Sequence, residues 1–267
     1  MKTDYVHGYN AIENRRLQDQ AITLVELLHS DTIYPKGSVI LEAGCGVGAQ
    51  TVQLAKNNPD AHIVSIDISE VSLTEARMVI KEKGITNVEF KQGDIFNLKF
   101  SEKSFDHVFI CFVLEHLPDP IQALQCLRKL IKPGGTITVI EGDHGSVYFY
   151  PRNDHSIKAI NCQIELQKKA GGNSLIGREL FPLLTQSGFK KCRVSPRMVY
   201  VDASKPELVE GFTKNTFTAM IEGIREKALT NNMIKEDIFD KGIKGLYRTT
   251  KKDGVFCYTF FKCFAEI

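Results

Sequence analysis

A glycine-rich segment near the start of the chain has the composition of a nucleotide-binding loop. It reads Leu41-Glu42-Ala43-Gly44-Cys45-Gly46-Val47-Gly48-Ala49 and stands between a short apolar run and a helical pattern. Glycines at such a junction let the backbone turn sharply, and the first N–H groups of the following helix stay available to a ligand. Asp67 ends the next apolar run about twenty residues later, where a carboxylate can accept both hydroxyls of a ribose. These residues predict a nucleotide site, and the spacing Gly44-x-Gly46-x-x-Ala49 also fits the pattern of NAD enzymes.

A second group of side chains that can exchange protons follows two later apolar runs. Glu115-His116 comes after the run 105–113, and Glu141-Gly142-Asp143-His144-Gly145-Ser146 comes after the run 136–140. In open α/β sheets, ligands bind at the carboxyl ends of the strands. These residues are therefore candidates for the substrate side of a site, with Tyr148 just beyond them.

His144 is the candidate general base, because an imidazole has an ordinary pKa near ~6.5 and can accept a proton at neutral pH. Asp143 and Glu141 are the candidate acidic residues beside it. We expect Gly142 and Gly145 to bend the chain sharply, so that a tight loop presents all three side chains. In the competing interpretation, Asp143 and His144 only hydrogen-bond the loop together.

Three further residues are candidates for substrate binding: Glu115, Tyr148 and Arg178. Arg178 opens a predicted helix, where its planar guanidinium could recognise an acidic group of a substrate. Each has an ordinary alternative, respectively a structural hydrogen bond, an aromatic core residue and a helix-surface arginine. No spacing of cysteines and histidines fits a zinc site, so we expect no metal.

Short apolar runs alternate with amphipathic helical patterns along most of the chain. The predicted strands are 39–41, 63–66, 88–90, 105–113, 136–140, 192–201 and 255–264, and the predicted helices begin near Ala49, Ser69 and Asp119 or span 157–170 and 179–186. Pro133-Gly134-Gly135 predicts a turn before the fifth strand. This alternation predicts an α/β fold with a doubly wound, mostly parallel, seven-stranded Rossmann-like sheet and helices on both faces.

Two stretches outside this pattern are helical. Apolar side chains recur at helical spacing between Leu17 and Leu28, and residues 206–247 are largely amphipathic. We expect these stretches to form a mobile lid, the second as an insertion before the last strand. The predicted division is an N-terminal lid segment at 1–34, a core at 35–201 and 251–267, and a lid insertion at 202–250.

Composition excludes several classes of protein. The 267 residues are 43% hydrophobic and 25% charged, which is ordinary for a globular chain and excludes a disordered one. A net charge of +2 gives no reason to expect a nucleic-acid partner. Seven cysteines without a Cys-x-x-Cys pair favour reduced thiols and a cytoplasmic location. No apolar run approaches ~20 residues and no apolar leader is visible, so we expect neither a membrane span nor a signal peptide.

The motifs stand in an order that resembles one enzyme family. Glu42 and the glycine loop are followed by Gly93-Asp94-Ile95, by Ser104-Phe105-Asp106 and by Leu130-Ile131-Lys132-Pro133-Gly134-Gly135. Over roughly residues 37–145, this set resembles the class I S-adenosylmethionine-dependent methyltransferases, and most of all their small-molecule and quinone-type members. The resemblance implies S-adenosylmethionine as cofactor, S-adenosylhomocysteine as product and a small molecule as substrate. We expect a monomer or a homodimer.

The resemblance also implies a role for each motif residue. Residues expected at the methionine part of the cofactor are Glu42, Gly44, Cys45, Gly46 and Gly48, with the carbonyl of Cys111 at its amino group and Tyr9 or Arg16 at its carboxylate. Asp67 would hold the ribose hydroxyls and Ile68 would pack on the adenine. Asp94 would accept a hydrogen bond from the adenine amino group, and the N–H of Ile95 would meet the ring.

Methyl transfer is an in-line displacement in which the protein mainly aligns the nucleophile, the methyl group and the sulfur. A base such as His144 is needed only when the nucleophile carries a proton that must leave. Two alternatives remain open from the sequence. One is an NAD-dependent oxidoreductase that uses the same loop, although no Ser/Tyr/Lys catalytic set is recognisable. The other is a non-catalytic, cofactor-binding regulatory subunit.

Overall fold

Seven strands form one sheet in the described part of the chain. The structure is a computed structural model and describes residue 21 and residues 23–267. The strands are β1 (Val39–Ala43), β2 (His62–Asp67), β3 (Val88–Gln92), β4 (Phe105–Cys111), β5 (Ile131–Tyr150), β6 (Lys190–Val201) and β7 (Val255–Glu266). Their order across the sheet is β3-β2-β1-β4-β5-β7-β6.

The strand pairs around the glycine loop are parallel. β1 pairs with β2 and β4, β2 pairs with β3, and β4 pairs with β5. Val108, Phe109 and Ile110 of β4 are fully buried, as is typical of a parallel strand that has helices over both faces. The predicted α/β class with a mostly parallel seven-stranded sheet is confirmed.

The helices follow the strands in the predicted alternation. They are α1 (Val25–His29), α2 (Ala49–Asn57), α3 (Glu70–Glu82), α4 (Pro120–Leu130), α5 (Asp154–Lys169), α6 (Leu180–Gln186), α7 (Pro206–Leu208), a π-helix (Val209–Thr218), α8 (Ala219–Gly223), α9 (Arg225–Thr230) and α10 (Glu236–Arg248), with 3₁₀ turns at Ile95–Asn97, Leu114–His116 and Ile176–Glu179. Two predicted starts are confirmed by their caps. The side chain of Ser69 accepts a hydrogen bond from the N–H of Ser72, and that of Asp119 accepts one from Gln122.

Strand β5 corrects two predictions. It runs without interruption from Ile131 to Tyr150, so Pro133-Gly134-Gly135 lies inside a strand and the predicted tight loop at 141–146 is wrong. The pairing of β4 with β5 shifts register at this segment. Phe105 pairs with Ile131, but His107, two positions later, pairs with Thr136, five positions later. No β4 partner is assigned to residues 132–135 in this register, and Gly134 has a left-handed φ of +81°, so the glycine segment forms a bulge within the strand.

The chain divides into two compact units. The core unit consists of residues 25–141, 176–197 and 261–267, and the insertion unit consists of 142–175, 198–260 and the described residues up to Leu24. The predicted lid insertion 202–250 lies within the insertion unit, and its role as a lid stays a prediction. The predicted N-terminal lid segment lies largely outside the described residues.

Each unit has its own apolar interior. In the core unit, the inner faces of α4 and α6 bury Leu124, Leu127 and Leu184 against the sheet. In the insertion unit, five aromatic rings pack together, namely Phe212, Phe217, Phe256, Tyr258 and Phe260. Helix α10 packs on α5.

All seven cysteines lie in the described residues as free thiols, and five of them are buried. This agrees with the expectation that most of the thiols belong to the core. Among the described residues, none of the helices combines the length and the apolar character that a membrane crossing requires.

Candidate functional site

The glycine loop joins β1 to α2 with three glycines in the left-handed region. Their φ angles are +80° at Gly44, +52° at Gly46 and +81° at Gly48. A Cβ atom at Gly44 would lie 2.5 Å from Cγ2 of Val113, so only glycine fits there. Within the described part of the chain, no side chain caps the start of α2, and its first N–H groups are therefore available to a polar or negatively charged ligand.

Asp67 lies at the carboxyl end of β2, directly beside this loop. Its Oδ2 accepts a hydrogen bond from the N–H of Gly46 at 2.8 Å, and its Oδ1 accepts one from Ser69 at 2.9 Å. Burial raises the pKa of Asp67, although these N–H donors oppose the shift. Each carboxylate oxygen has two lone pairs, so both can accept a further hydrogen bond from a ligand. The next side chain, Ile68, is 62% exposed and presents an apolar surface there.

Glu42 lies beneath the loop as a buried carboxyl group. Its Oε2 accepts hydrogen bonds from the hydroxyls of Ser65 at 2.6 Å and Thr51 at 2.7 Å. Burial raises the pKa of Glu42 to about 7, and the nearby Asp67 adds to the effect. These hydrogen bonds connect β1, β2 and α2, so this side chain supports the loop from inside the protein.

The end of β3 lies next to Asp67. The N–H of Gly93 donates to the carbonyl of Asp67 at 3.0 Å. Asp94 is exposed, and its Oδ1 caps the following 3₁₀ turn by accepting the N–H of Phe96 at 2.9 Å. The side chain of Ile95 is buried in the core. The structure thus brings the predicted ribose and adenine residues to one edge of the core unit.

Glu141 shapes the turn that follows β4. Phe112, directly after Cys111, has a φ of +58°, which is uncommon for a bulky residue. The N–H of Phe112 donates to the carbonyl of Ile140, and Oε1 of Glu141 accepts the next two N–H groups, those of Val113 at 3.0 Å and Leu114 at 2.7 Å.

The carboxyl group of Glu141 is fully buried, and its Oε2 has no hydrogen-bond partner among the described residues. Burial raises the pKa of Glu141 well above its ordinary value, and the charge of Glu115 adds to this. Through these hydrogen bonds Glu141 supports the backbone of the turn after β4. We expected Glu141 on a tight loop, but it lies within strand β5.

Asp143 and His144 are successive residues of the extended β5, so their side chains point to opposite faces of the sheet. This corrects the expectation that a loop presents both together. Oδ1 of Asp143 accepts the N–H of Gly145 at 2.9 Å. Nδ1 of His144 lies 2.8 Å from the hydroxyl of Tyr258 in a buried hydrogen bond. Sequence reasoning missed Tyr258, which stands 114 positions away, and no local signal pointed to it.

The remaining candidates are divided between the two units. Oε1 of Glu115 lies 3.6 Å from Nε2 of His116. Arg178 is exposed in the 3₁₀ turn that precedes α6. Tyr148 is 56% exposed, and its hydroxyl donates to the sulfur of Met198. Asp143, His144 and Tyr148 belong to the insertion unit, whereas Glu115 and Arg178 belong to the core unit.

Two predicted cofactor residues, Tyr9 and Arg16, lie outside the described residues. Within the part of the chain that the structure describes, no group of three His, Cys, Asp or Glu side chains is placed to hold a metal ion.

Comparison with known proteins identifies related chains. A family model described as "Methyltransferase domain" matches residues 35–176, which is more than half of the chain. A demethylmenaquinone methyltransferase of Listeria welshimeri is 35% identical over 107 residues, which cover 40% of this chain and 45% of the relative. An uncharacterized 37.1 kDa protein in transposon TN4556 of Streptomyces fradiae is 33% identical over 190 residues, or 70% of this chain and 54% of that protein. The chain spans about half the length of these curated relatives.

A solved structure shares the fold. Phosphoethanolamine N-methyltransferase 2 of Haemonchus contortus, in complex with phosphomonomethylethanolamine and S-adenosylhomocysteine, matches with a TM-score of 0.56 at 16% identity. The match covers 93% of this chain and 52% of that chain.

Proposed function

The chain belongs to the methyltransferase domain family, and on that premise we propose that it binds S-adenosylmethionine and transfers its methyl group to a small molecule. The observation that carries the proposal is the arrangement of Asp67 beside the glycine loop. A carboxylate with free lone pairs, a loop of left-handed glycines and an uncapped helix start stand together at one edge of the core unit. Such a combination suits a nucleoside with a polar tail.

Each element of this edge has a proposed role. Asp67 accepts the two ribose hydroxyls, Ile68 covers one face of the adenine, and Asp94 accepts its amino group. The backbone from Gly44 to Gly48 follows the methionine part, and the carbonyl of Cys111 accepts its ammonium group. The turn fixed by Glu141 sets the direction of that carbonyl.

The charges of this edge favour a cationic cofactor. Burial raises the pKa values of Glu42 and Glu141, and the neighbouring carboxylates Asp67 and Glu115 raise them further. S-adenosylmethionine supplies an electrophilic methyl group on a positively charged sulfonium. A bound positive charge reduces the repulsion among the carboxylates, whereas the anionic pyrophosphate of NAD would add negative charge to the same site.

The chain's own contribution to the reaction is alignment and the exclusion of water. Where the acceptor atom carries a proton, we propose that His144 removes it. The proposal of a small-molecule acceptor is supported by the demethylmenaquinone methyltransferase relative and by the nearly balanced net charge of +2. The proposal that segments 1–34 and 202–250 form a mobile lid depends on the sequence pattern.

Calorimetry on the Asp67→Ala variant tests the assignment. We expect the wild type to bind S-adenosylhomocysteine and not NADH. Loss of the carboxylate should weaken that binding by about 1–3 kcal/mol, or roughly 5- to 150-fold, because a charged acceptor for two hydroxyls is removed.

The matched control is Asp60→Ala. The carboxylate of Asp60 is 57% exposed, and its nearest cation is the exposed Lys36. The Asp60→Ala substitution should leave the dissociation constant for S-adenosylhomocysteine unchanged. Equal affinities of the wild type and Asp67→Ala would show that Asp67 is not at the ribose. Heat with NADH and none with S-adenosylhomocysteine would favour an oxidoreductase instead.

A further inference from the structure

Tyr258 and His144 share a hydrogen bond inside the insertion unit. The hydroxyl of Tyr258 lies 2.8 Å from Nδ1 of His144, and the two residues are only 3% and 7% exposed. The rings meet edge to face, with 5.7 Å between their centroids. Tyr258 also packs on Phe212, Phe217 and Phe260, at centroid distances of 5.8, 5.6 and 4.7 Å. The phenol oxygen therefore has a defined place relative to the imidazole.

We propose that Tyr258 is a positioning residue whose phenol oxygen accepts the hydrogen bond of Nδ1–H of His144 and so leaves Nε2 as the proton acceptor. The inference rests on the proposed function, in which His144 is the base. A neutral imidazole carries one proton, and the partner of one nitrogen decides which nitrogen holds it. Without an acceptor at Nδ1, a buried N–H loses its hydrogen bond, which disfavours this tautomer.

The proton and electron balance of the step is simple. The acceptor atom of the substrate forms a bond to the methyl carbon, and the bond between that carbon and the sulfonium breaks with its electrons left on sulfur. The proton of the acceptor atom moves to Nε2 of His144. The resulting imidazolium keeps its Nδ1–H on the oxygen of Tyr258, so this oxygen stabilises the charged form as well.

Gly142 makes room for this hydrogen bond. It lies two positions before His144 on β5 and therefore on the same face. A Cβ atom at Gly142 would lie 2.3 Å from the hydroxyl oxygen of Tyr258 and 3.3 Å from its Cζ. An alanine at this position must displace the phenol oxygen. Gly142→Ala and Tyr258→Phe should thus break the same hydrogen bond by different means.

The test is nitrogen NMR of the histidine rings, with His144→Gln used to assign the His144 signals among the seven histidines. We expect neutral His144 to be protonated at Nδ1 in the wild type and to change to the Nε2–H tautomer in Tyr258→Phe and Gly142→Ala. The control is Tyr200→Phe, since Tyr200 is 41% exposed on β6 and packs beside Lys205. The control should keep the wild-type tautomer.

Two results would overturn the inference: an Nε2–H tautomer in the wild type, or an unchanged tautomer in Tyr258→Phe. The wild-type spectrum decides the question even where a variant does not fold. Calorimetry with S-adenosylhomocysteine distinguishes a failure of this inference from a failure of the proposed function, because it measures cofactor binding alone. We expect the tautomer to change while the dissociation constant does not, because Asp67, Ile68 and Asp94, the proposed ribose and adenine residues, belong to the core unit. With a substrate in hand, Tyr258→Phe should lower kcat roughly 10- to 100-fold at unchanged KM.

Discussion

At the scale of a single residue, the buried carboxyl group of Glu42 makes stability depend on pH. Its pKa rises from 4.5 to about 7 in the folded protein, because burial disfavours the charged form. For an acid whose pKa is raised by folding, stability is fully present below the unfolded value of 4.5 and falls as pH rises to about 7. The rise in pKa from 4.5 to about 7 corresponds to a loss of about 3 kcal/mol in free energy of unfolding across this pH range.

The prediction concerns Glu42→Gln, which removes the titration and keeps an acceptor for the hydroxyls of Ser65 and Thr51. Relative to the wild type, this variant should gain about 3 kcal/mol in free energy of unfolding between about pH 4 and pH 8. Urea unfolding at both pH values measures the difference. Glu102→Gln, at an exposed position, should show no such gain. If the difference in free energy of unfolding between Glu42→Gln and the wild type is the same at both pH values, Glu42 stays charged in the folded protein.

Residues that act through local spacing could be predicted from the sequence. Gly44, Gly46, Gly48 and Asp67 stand within one strand-loop-helix-strand segment, and the structure places them together as expected. The partner of His144 could not be predicted in this way, because Tyr258 lies on another strand, 114 positions away. Pairing over such a separation depends on the order of strands in the sheet, which is not encoded in local spacing.

At the scale of the element, strand and helix types were predicted better than their ends. The helix expected at 157–170 is α5, which begins at Asp154 because the side chain of Asn153 accepts the N–H groups of His155 and Ser156. The π-helix at Val209–Thr218 stands in a stretch predicted only as helical. A widened helix depends on tertiary packing, and the apolar period does not distinguish it from an α-helix.

The packing of α10 on α5 gives a prediction at this scale. A Cβ atom at Gly242 would lie 2.7 Å from the backbone carbonyl oxygen of His155 and 3.1 Å from Cβ of Ala159. Gly242→Ala should therefore lower the free energy of unfolding by about 1–3 kcal/mol, despite the better helix propensity of alanine.

The matched control is Gly223→Ala. Gly223 ends α8, and no atom of the other described residues would lie within 4 Å of its Cβ atom. This substitution should be neutral or stabilise the protein by up to about 1 kcal/mol. Urea unfolding of both variants makes the comparison. Equal stabilities would show that α5 and α10 do not approach as closely as the structure indicates.

At the scale of the whole molecule, residues from opposite ends of the chain meet in the core unit. Nζ of Lys262 donates to the carbonyl of Leu28 at 3.0 Å, to Oδ1 of Asp31 at 2.6 Å and to the hydroxyl of Thr32 at 2.7 Å. Arg197 forms a second ion pair with Asp31. Partial burial of Asp31 acts to raise its pKa, but the hydrogen bonds from Lys262 and Arg197 outweigh it and hold that pKa below its ordinary value. This cluster links the segment after α1 to β6 and β7.

Lys262→Met tests how strongly this cluster stabilises the fold. The side chain of Lys262 is only 6% exposed, so its loss leaves a carbonyl and a hydroxyl in the interior without their donor. We expect a loss of about 2–4 kcal/mol in free energy of unfolding, since the carbonyl of Leu28 and the hydroxyl of Thr32 are buried and lose a charged donor, whereas the half-exposed Asp31 keeps Arg197 and water as partners. Lys191→Met is the control: Lys191 pairs with Glu266 on the same two strands but is 71% exposed, and its loss should cost less than about 1 kcal/mol. Similar small losses in both variants, measured by urea unfolding, would mean that the two chain ends are held by apolar packing rather than by this cluster.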